Sequence, residues 1–341
     1  MKDRIVVAGN IIVDRFYPIA GYPERGQLTT ILDGIGQSVG GAVCNVGIDL
    51  KRLIPETEIC ALGLVGADEE GDFALSVMRE GGVDVSMTGR RGITSFTAVM
   101  SDADTNERTF FQYRGANALL SEEDFDWDRM DCGLLHVAYI LLLDALDEKD
   151  GEYGTKLARL LAHAKERGIR TSVDVVSETG SRFSTLVPPA LRYTDLCVIN
   201  ELEAAETTGI PLRHGDGTLI YESIKPCLRA LFDLGVGEWA VIHCPEGGFG
   251  MNRAGQFAAS GQIPTPPGYI KSKVGAGDAF CAGVLSAAHR GMTLAEAVRL
   301  GNAAAMVSLS VPGATGAMRT VEECLRTADL FGERKLPEIP G

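Results

Sequence analysis

The stretch Val274-Gly275-Ala276-Gly277-Asp278-Ala279-Phe280 joins a turn of small residues to a single carboxylate. Glycines let a backbone close in on a ligand, and the free N–H groups of a helix start attract an anion. Phe280, Val284, Leu285, Ala287 and Ala288 then recur at helical spacing, which puts Asp278 in the first turn of a helix. There the positive end of the helix dipole favours its ionised form. A carboxylate able to take a proton, beside N–H groups able to hold a phosphate, suits phosphoryl transfer to an alcohol. The same seven residues also fit an ordinary glycine-rich loop with an acidic helix start, so the other segments must discriminate.

Gly40-Gly41-Ala42-Val43-Cys44-Asn45 is the second such segment. It leads into a helix ending near Leu53, and Asn45 brings both a donor and an acceptor. Asp14 follows the first strand after Gly9 and Asn10, at the carboxyl edge where ligands gather in open α/β sheets, and can accept two sugar hydroxyls. Each also reads as local turn chemistry. Asn200-Glu201-Leu202-Glu203 closes one strand and opens a helix. It is either a capping box or an oxygen-rich pair that orders water around Mg²⁺. The small residues Gly301-Asn302-Ala303-Ala304-Ala305 give room for a flat adenine or serve plain helix packing.

The elements that must position these groups alternate short apolar runs with longer amphipathic ones, the mark of an α/β fold with a largely parallel sheet. Strands are expected at Ile5–Ala8, Glu58–Leu64, Leu134–Ala138, Thr171–Val175, Leu196–Ile199 and Trp239–His243. Helices are expected at Val43–Leu53, Phe73–Glu80, Tyr153–Arg167 and Ile220–Leu234. Residues 11–36 and 93–113 break the rhythm with alternating segments that predict antiparallel strands, a small sheet projecting as a lid over the strand ends. One domain, residues 1–330, is expected, with residues 331–341 a loosely held Pro-, Gly- and charge-rich tail.

Composition narrows the partners. The formal charge of −14 disfavours nucleic acid and anionic membrane surfaces. Eight scattered cysteines without a Cys-x-x-Cys read as reduced thiols and no structural zinc. No apolar run is long enough to span a bilayer, and the chain enters its first strand without a signal peptide, so a cytoplasmic location is expected. Gly36-Gln37-Ser38-Val39-Gly40 matches the G-x-S-x-G pattern of hydrolase elbows, but it comes too early and lacks a good preceding strand. A dinucleotide fingerprint fails because Val39 stands where its third glycine belongs, and no G-x-x-x-x-G-K-[ST] loop is present.

Taken in order, Asp14, Gly40-Gly41 with Asn45, Gly115-Ala116-Asn117, Asn200 with Glu203, Gly275-Ala276-Gly277-Asp278 and Asn302 resemble the ribokinase-like (PfkB) carbohydrate kinase family, from the first strand to about residue 325. The segments at Gly40–Leu53 and Val274–Leu285 match its two signature regions. The resemblance implies a Rossmann-like fold with a β lid that in many members also makes a dimer contact. It implies ATP and Mg²⁺, with a sugar or related small polyol as acceptor. Asp278 would be the base and Gly275, Ala276 and Gly277 the anion hole. Asp14, Gly40, Gly41, Asn45 and Asn117 would bind the acceptor, while Asn200, Glu203, Gly248, Lys273 and Asn302 would serve nucleotide and phosphate, Glu203 reaching Mg²⁺ through water. Three departures stand out. Ser272 replaces the usual aspartate of a monovalent-cation site, and Lys273 beside it is expected to supply that charge. The nucleotide loop, usually Thr-x-Gly-x-x-Gly, reads His243-Cys244-Pro245-Glu246-Gly247-Gly248, with Glu246 near the phosphates. Ile12 stands where an asparagine usually precedes the sugar aspartate, which leaves the sugar open. A nucleoside kinase of the same fold and a non-catalytic sugar- or nucleotide-binding regulator are the alternatives.

Overall fold

The computed structural model describes residues 3–105, 107–177 and 181–340. Its first half comprises β1 (Arg4–Gly9), β2 (Ile12–Ile19), β3 (Gly36–Gly40), α1 (Ala42–Leu53), β4 (Glu58–Val65), α2 (Glu69–Glu80), β5 (Asp84–Arg90), β6 (Phe96–Asp102), β7 (Arg108–Tyr113) and β8 (Leu134–Ile140). The short α3 (Asp144–Asp147), β9 (Lys149–Asp150) and β10 (Gly154–Thr155) follow, then α4 (Lys156–Glu166), β11 (Arg170–Val175), α5 (Phe183–Leu191), β12 (Leu196–Asn200), α6 (Glu201–Thr208) and α7 (Tyr221–Asp233). The chain ends with β13 (Trp239–Cys244), β14 (Gly247–Asn252), β15 (Phe257–Gly261), α8 (Ala276–His289), α9 (Leu294–Ser308) and α10 (Val321–Phe331).

Nine strands form one sheet in the order β15-β14-β13-β12-β11-β8-β1-β4-β5. Its pairs are parallel from β5 to β13, and β14 and β15 extend it as an antiparallel hairpin. The two faces of β1 show why its sequence is apolar throughout. Ile5 and Val7 pack into the layer of α1, α2, α8, α9 and α10, whereas Val6 and Ala8 pack into the layer of α3 to α7. All six expected strands are found, each extended by one or two residues. Phe73–Glu80 begins earlier, at Glu69, because the side chain of Asp68 accepts the N–H of Gly71 and starts the helix there. Tyr153–Arg167 begins later, at Lys156, where Thr155 caps the N–H of Ala158.

The projecting sheet has the order β3-β2-β6-β7. The expectation of antiparallel strands holds for its outer pairs, but β2 and β6 run parallel. The reason is topological, since each leaves the carboxyl end of a parallel strand of the main sheet, β1 and β5. The G-x-S-x-G pattern is strand β3, with Ser38 opposite Asp14, and not a strand-to-helix elbow. Asn106 in the lid and Gly341 in the tail lie outside the described residues. The tail, expected to be loose, is tied to the sheet edge. Glu333 accepts the N–H of Gly261 at 2.5 Å, the Arg334 N–H reaches the Gln262 carbonyl, and Lys225 donates to the carbonyl of Ile339. Leu336 and Ile339 add apolar contact there.

Candidate active site

Asp278 sits in the first turn of α8, 7% exposed. The turn before it depends on Gly275, whose φ of +79° is the left-handed conformation that side chains resist. A Cβ at Gly275 would also lie 2.6 Å from the Cβ of Ala314. Ser272, in place of the aspartate, accepts the N–H of Val274 with its hydroxyl at 3.1 Å and so shapes this turn. At the start of α8 the Ala276 N–H reaches the Lys273 carbonyl at 3.4 Å, and the N–H groups of the first turn lack intrahelical partners, as at any helix start.

Two side chains address the carboxylate. Nδ2 of Asn45 donates to Oδ2 at 2.9 Å, and the Tyr139 hydroxyl donates to Oδ1 at 2.6 Å. Burial raises the Asp278 pKa, and these two hydrogen bonds oppose the rise. Asn45 lies in α1 one turn after Gly41, and its own Oδ1 is buried with no partner among the described residues. Gly41, at φ +82°, lets the chain pass the Asn10 carbonyl, which a Cβ would meet at 2.4 Å. Gly40 faces Asp14, whose Oδ2 would lie 2.6 Å from a Cβ there. Asp14 is half-buried on β2, its pKa raised by burial and lowered in part by a hydrogen bond from Thr97. Gly40 thus lies against Asp14 of the lid, and Asn45, in the helix that follows, against Asp278.

Asn117 takes a different part. Its Oδ1 accepts the Ile11 N–H and its Nδ2 donates to the Ile11 carbonyl, both at 3.1 Å, so this buried amide is occupied in holding the segment that leads to Asp14.

On the other side of α8 lies a cleft of about 410 Å³. Its lining includes the polar Asn200, His243, Lys273 and Asn302, the helix start at Ala276 and Gly277, and apolar residues such as Ile263 and Met306. Gly248 does not line it. A Cβ there would meet the Phe280 ring at 2.7 Å and Val298 at 2.9 Å, so Gly248 admits helix packing, and Gly247 is the loop glycine at the cleft. Gly301 likewise packs against Phe280 and Gly283. Asn302 donates through Nδ2 to the Ser260 carbonyl and hydroxyl and to the Gly261 carbonyl, which fixes the cleft wall. Glu246 is turned into a pair with Arg213, which binds both its oxygens at 2.9 Å and also holds Glu201. The guanidinium keeps the Glu246 carboxyl below its usual range.

Asn200 and Glu203 form the capping box, the Asn200 side chain accepting from Leu202 and Glu203 N–H groups and Glu203 Oε2 accepting the Asn200 N–H at 2.9 Å. Glu203 Oε1 also takes Ser177 and the Asn200 amide. Burial lifts the Glu203 pKa to about 7. Behind it stands Asp174 at the end of β11, held well above the usual range by burial and then by the charges of Glu203 and Asp278. These three buried carboxylates act on one another as like charges, and hard oxygen donors of this kind fit Mg²⁺. Among the described residues no three His, Cys, Asp or Glu side chains gather closely enough to grip a metal directly.

Sequence reasoning missed four of these groups. Asp174 stands between Val173 and Val175 near the carboxyl end of β11, and Tyr139 follows Val137-Ala138 near the carboxyl end of β8, both readable as polar residues where ligands gather. Asp49 falls one turn after Asn45 on the buried face of α1, which its helical spacing discloses. Arg213 lies 33 residues from Glu246, and nothing local marks the pair.

A largely parallel sheet covered on both faces, with its carboxylate at a glycine turn and a small sheet projecting above, is the ribokinase fold. Arabidopsis thaliana ribokinase, solved with ribose and ATP, superposes with a TM-score of 0.80 at 20% identity, covering 96% of this chain and 99% of that one. The Methanocaldococcus jannaschii nucleoside kinase gives 0.72 at 17% identity, covering 96% and 98%. The family model described as pfkB family carbohydrate kinase matches residues 2–321, and the chain belongs to that family. It is 25% identical to 5-dehydro-2-deoxygluconokinase of Shouchella clausii over 84% of both chains. With aminoimidazole riboside kinase of Salmonella typhimurium it shares 24% identity, over 82% of this chain and 84% of the relative. The protein is accordingly a phosphotransferase of the carbohydrate kinase type. No helix among the described residues is long and apolar enough to cross a membrane.

Proposed function

We propose that the protein transfers the γ-phosphoryl group of ATP to a hydroxyl of a sugar or related small polyol. The observation that carries this reading is the position of Asp278: its carboxylate is bonded to Asn45, in the helix that follows Gly40, Gly41 and the Asp14 beside them, and its backbone belongs to the first turn of the helix that lines the cleft.

Asp14 accepts hydroxyls of the acceptor, and the unpartnered Oδ1 of Asn45 takes another. Both Asp278 oxygens retain a lone pair beyond the bonds from Asn45 and Tyr139, so one can accept the reacting hydroxyl proton. As the acceptor oxygen bonds to the γ-phosphorus, the bond to the β-phosphate oxygen breaks and ADP leaves. The N–H groups at Gly275, Ala276 and Gly277 receive the charge on the transferred group. Lys273 lines the cleft and adds a cation there, while the pairing of Glu246 with Arg213 removes a carboxylate that would repel the phosphates. Asn302 and the apolar residues suit the base. Glu203 and Asn200 would hold Mg²⁺ through its water, with Asp174 adding negative charge, and the bound ion would supply neutralisation of the polyphosphate. The exposed Phe110, Phe111 and Tyr113 on β7 support a homodimer through the lid.

The reading is tested by ADP release with ATP and Mg²⁺ against pentoses, hexoses, ketoses, sugar acids and nucleosides, with Asp278→Asn alongside. Acceptor-dependent turnover should appear and fall at least about a thousandfold in the variant, with a smaller change in acceptor binding. An unimpaired variant overturns the assignment. Turnover with nucleosides alone selects the nucleoside kinase, and nucleotide binding without turnover selects the regulator.

A further inference from the structure

Tyr139 stands at the carboxyl end of β8, half-buried beside the start of α8. Its hydroxyl donates to Oδ1 of Asp278 at 2.6 Å, and its backbone N–H donates to Oδ1 of the buried Asn10 at 2.7 Å. Asn10 is itself fixed. Its N–H reaches the Ala138 carbonyl at 3.0 Å, its carbonyl accepts the Val43 N–H at 3.2 Å, and its Nδ2 donates to the Leu142 carbonyl at 3.3 Å. The phenol is thus anchored to the turn that leads to Asp14 and to the helix that carries Asn45. Its one proton goes to the carboxylate of α8.

We propose that Tyr139 is a positioning residue for phosphoryl transfer, holding the Asp278 carboxylate in the orientation that leaves a lone pair for the acceptor hydroxyl. The proposal rests on the reading of Asp278 as the base. Geometry gives the reason. A carboxylate at the end of a short side chain rotates about its last bond unless both oxygens are held, and here Asn45 holds one and Tyr139 the other. The surroundings make the phenol matter for charge as well. Beside burial, the Asp278 charge helps to raise the pKa of Asp49 on α1, Asp174 on β11 and Glu203 on α6, and of the thiols of Cys44 and Cys281, so these neighbours hold their protons while Asp278 is ionised. His243 on β13, beside Gly277, is neutral, since burial lowers its pKa to about 4. The bonds from Tyr139 and Asn45 are what favour the ionised base. Tyr139 can always donate, because burial and then the charge of Asp278 hold its own pKa well above that of an ordinary phenol.

Tyr139→Phe keeps the ring and removes the donor. With an acceptor found by the panel, kcat should fall about ten- to hundredfold, KM for ATP should stay within about twofold, and the acidic limb of the kcat profile should move up by about one pH unit. A fall in kcat without movement of that limb, or no change in either, overturns the proposal. A second measurement needs no turnover: the ¹³C resonance of the Asp278 carboxyl, identified by its loss in Asp278→Asn, is titrated in the wild type and in Tyr139→Phe. A higher midpoint in the variant supports the coupling even if no acceptor reacts, a result that would count against the kinase reading alone. Coincident midpoints overturn the coupling whatever the activity.

Discussion

Replacing Gly275 by alanine tests whether the turn before Asp278 is as tightly built as its backbone indicates. Two costs combine. At φ +79° an alanine is strained by about 1 kcal/mol or somewhat more. Its Cβ would also come within 2.6 Å of the Ala314 Cβ, 2.8 Å of its Cα and 3.0 Å of its carbonyl oxygen. None of these is the far end of a flexible side chain, so the 311–317 turn or the start of α8 must move, at about 1–3 kcal/mol. The sum is about 2–4 kcal/mol. With an unfolding entropy of about 0.7 kcal/mol per degree for a chain of this length, the melting temperature should drop by about 3–6 °C. A shift of about 1 Å in the first turn of α8 should also cost about a hundredfold in kcat/KM.

Two control substitutions separate the causes. Gly291→Ala meets nothing within 4 Å and carries only the strain of φ +71°, so it should lose about 1–2 °C and no rate. Gly277→Ala meets only the His243 ring edge, at 3.1 Å, so it should cost less stability than Gly275→Ala while perturbing the same N–H groups. Differential scanning calorimetry and steady-state kinetics on the three variants give both readings. If Gly275→Ala behaves like Gly291→Ala, with full activity and a drop of only a degree or two, the packing against Ala314 does not hold this turn, and its part in catalysis falls.

The remaining predictions concern buried and missing charges. Asp49 is fully buried, and neither oxygen has a partner among the described residues. Burial, then Asp278, holds its folded pKa well above the ordinary value. The folded state therefore keeps a proton that the unfolded chain has released, and stability falls as pH rises from about 4 towards the folded pKa. Asp49→Asn should flatten this slope in urea titrations between pH 4 and 8 without abolishing it, because Asp174 and Glu203 act in the same sense; an unchanged slope refutes it. Because Lys273 lies at the cleft where a cation-binding aspartate is missing, turnover should be equal in K⁺ and Na⁺. A strong rise in K⁺ refutes the substitution of one charge for the other.

The fold was legible because its strands are buried on both faces: runs such as Ile5–Ala8 and Leu196–Ile199 are apolar without alternation, and the helix-length segments between such runs make the crossovers that parallel pairing requires. The site was legible where one short segment supplies both backbone and side chain, as at Gly275–Asp278. It was obscure where a role depends on a partner far along the chain. Glu246 looked like an obstacle to a polyphosphate until Arg213 was found to bind both its oxygens. Asn117 looked like a ligand group, yet its amide is spent on the Ile11 backbone. The small residues of α9 divide by helical phase: Gly301 turns toward Phe280 and Gly283, while Asn302 and Ala305 turn toward the cleft, so packing and room for a ligand occupy different sides of one helix. Tyr139 carries no motif at all. Its importance follows only from the meeting of β8 with α8, which brings two residues 139 positions apart within 2.6 Å. A local pattern can show that a carboxylate stands at a helix start, but what fixes the orientation of that carboxylate depends on the order of the strands.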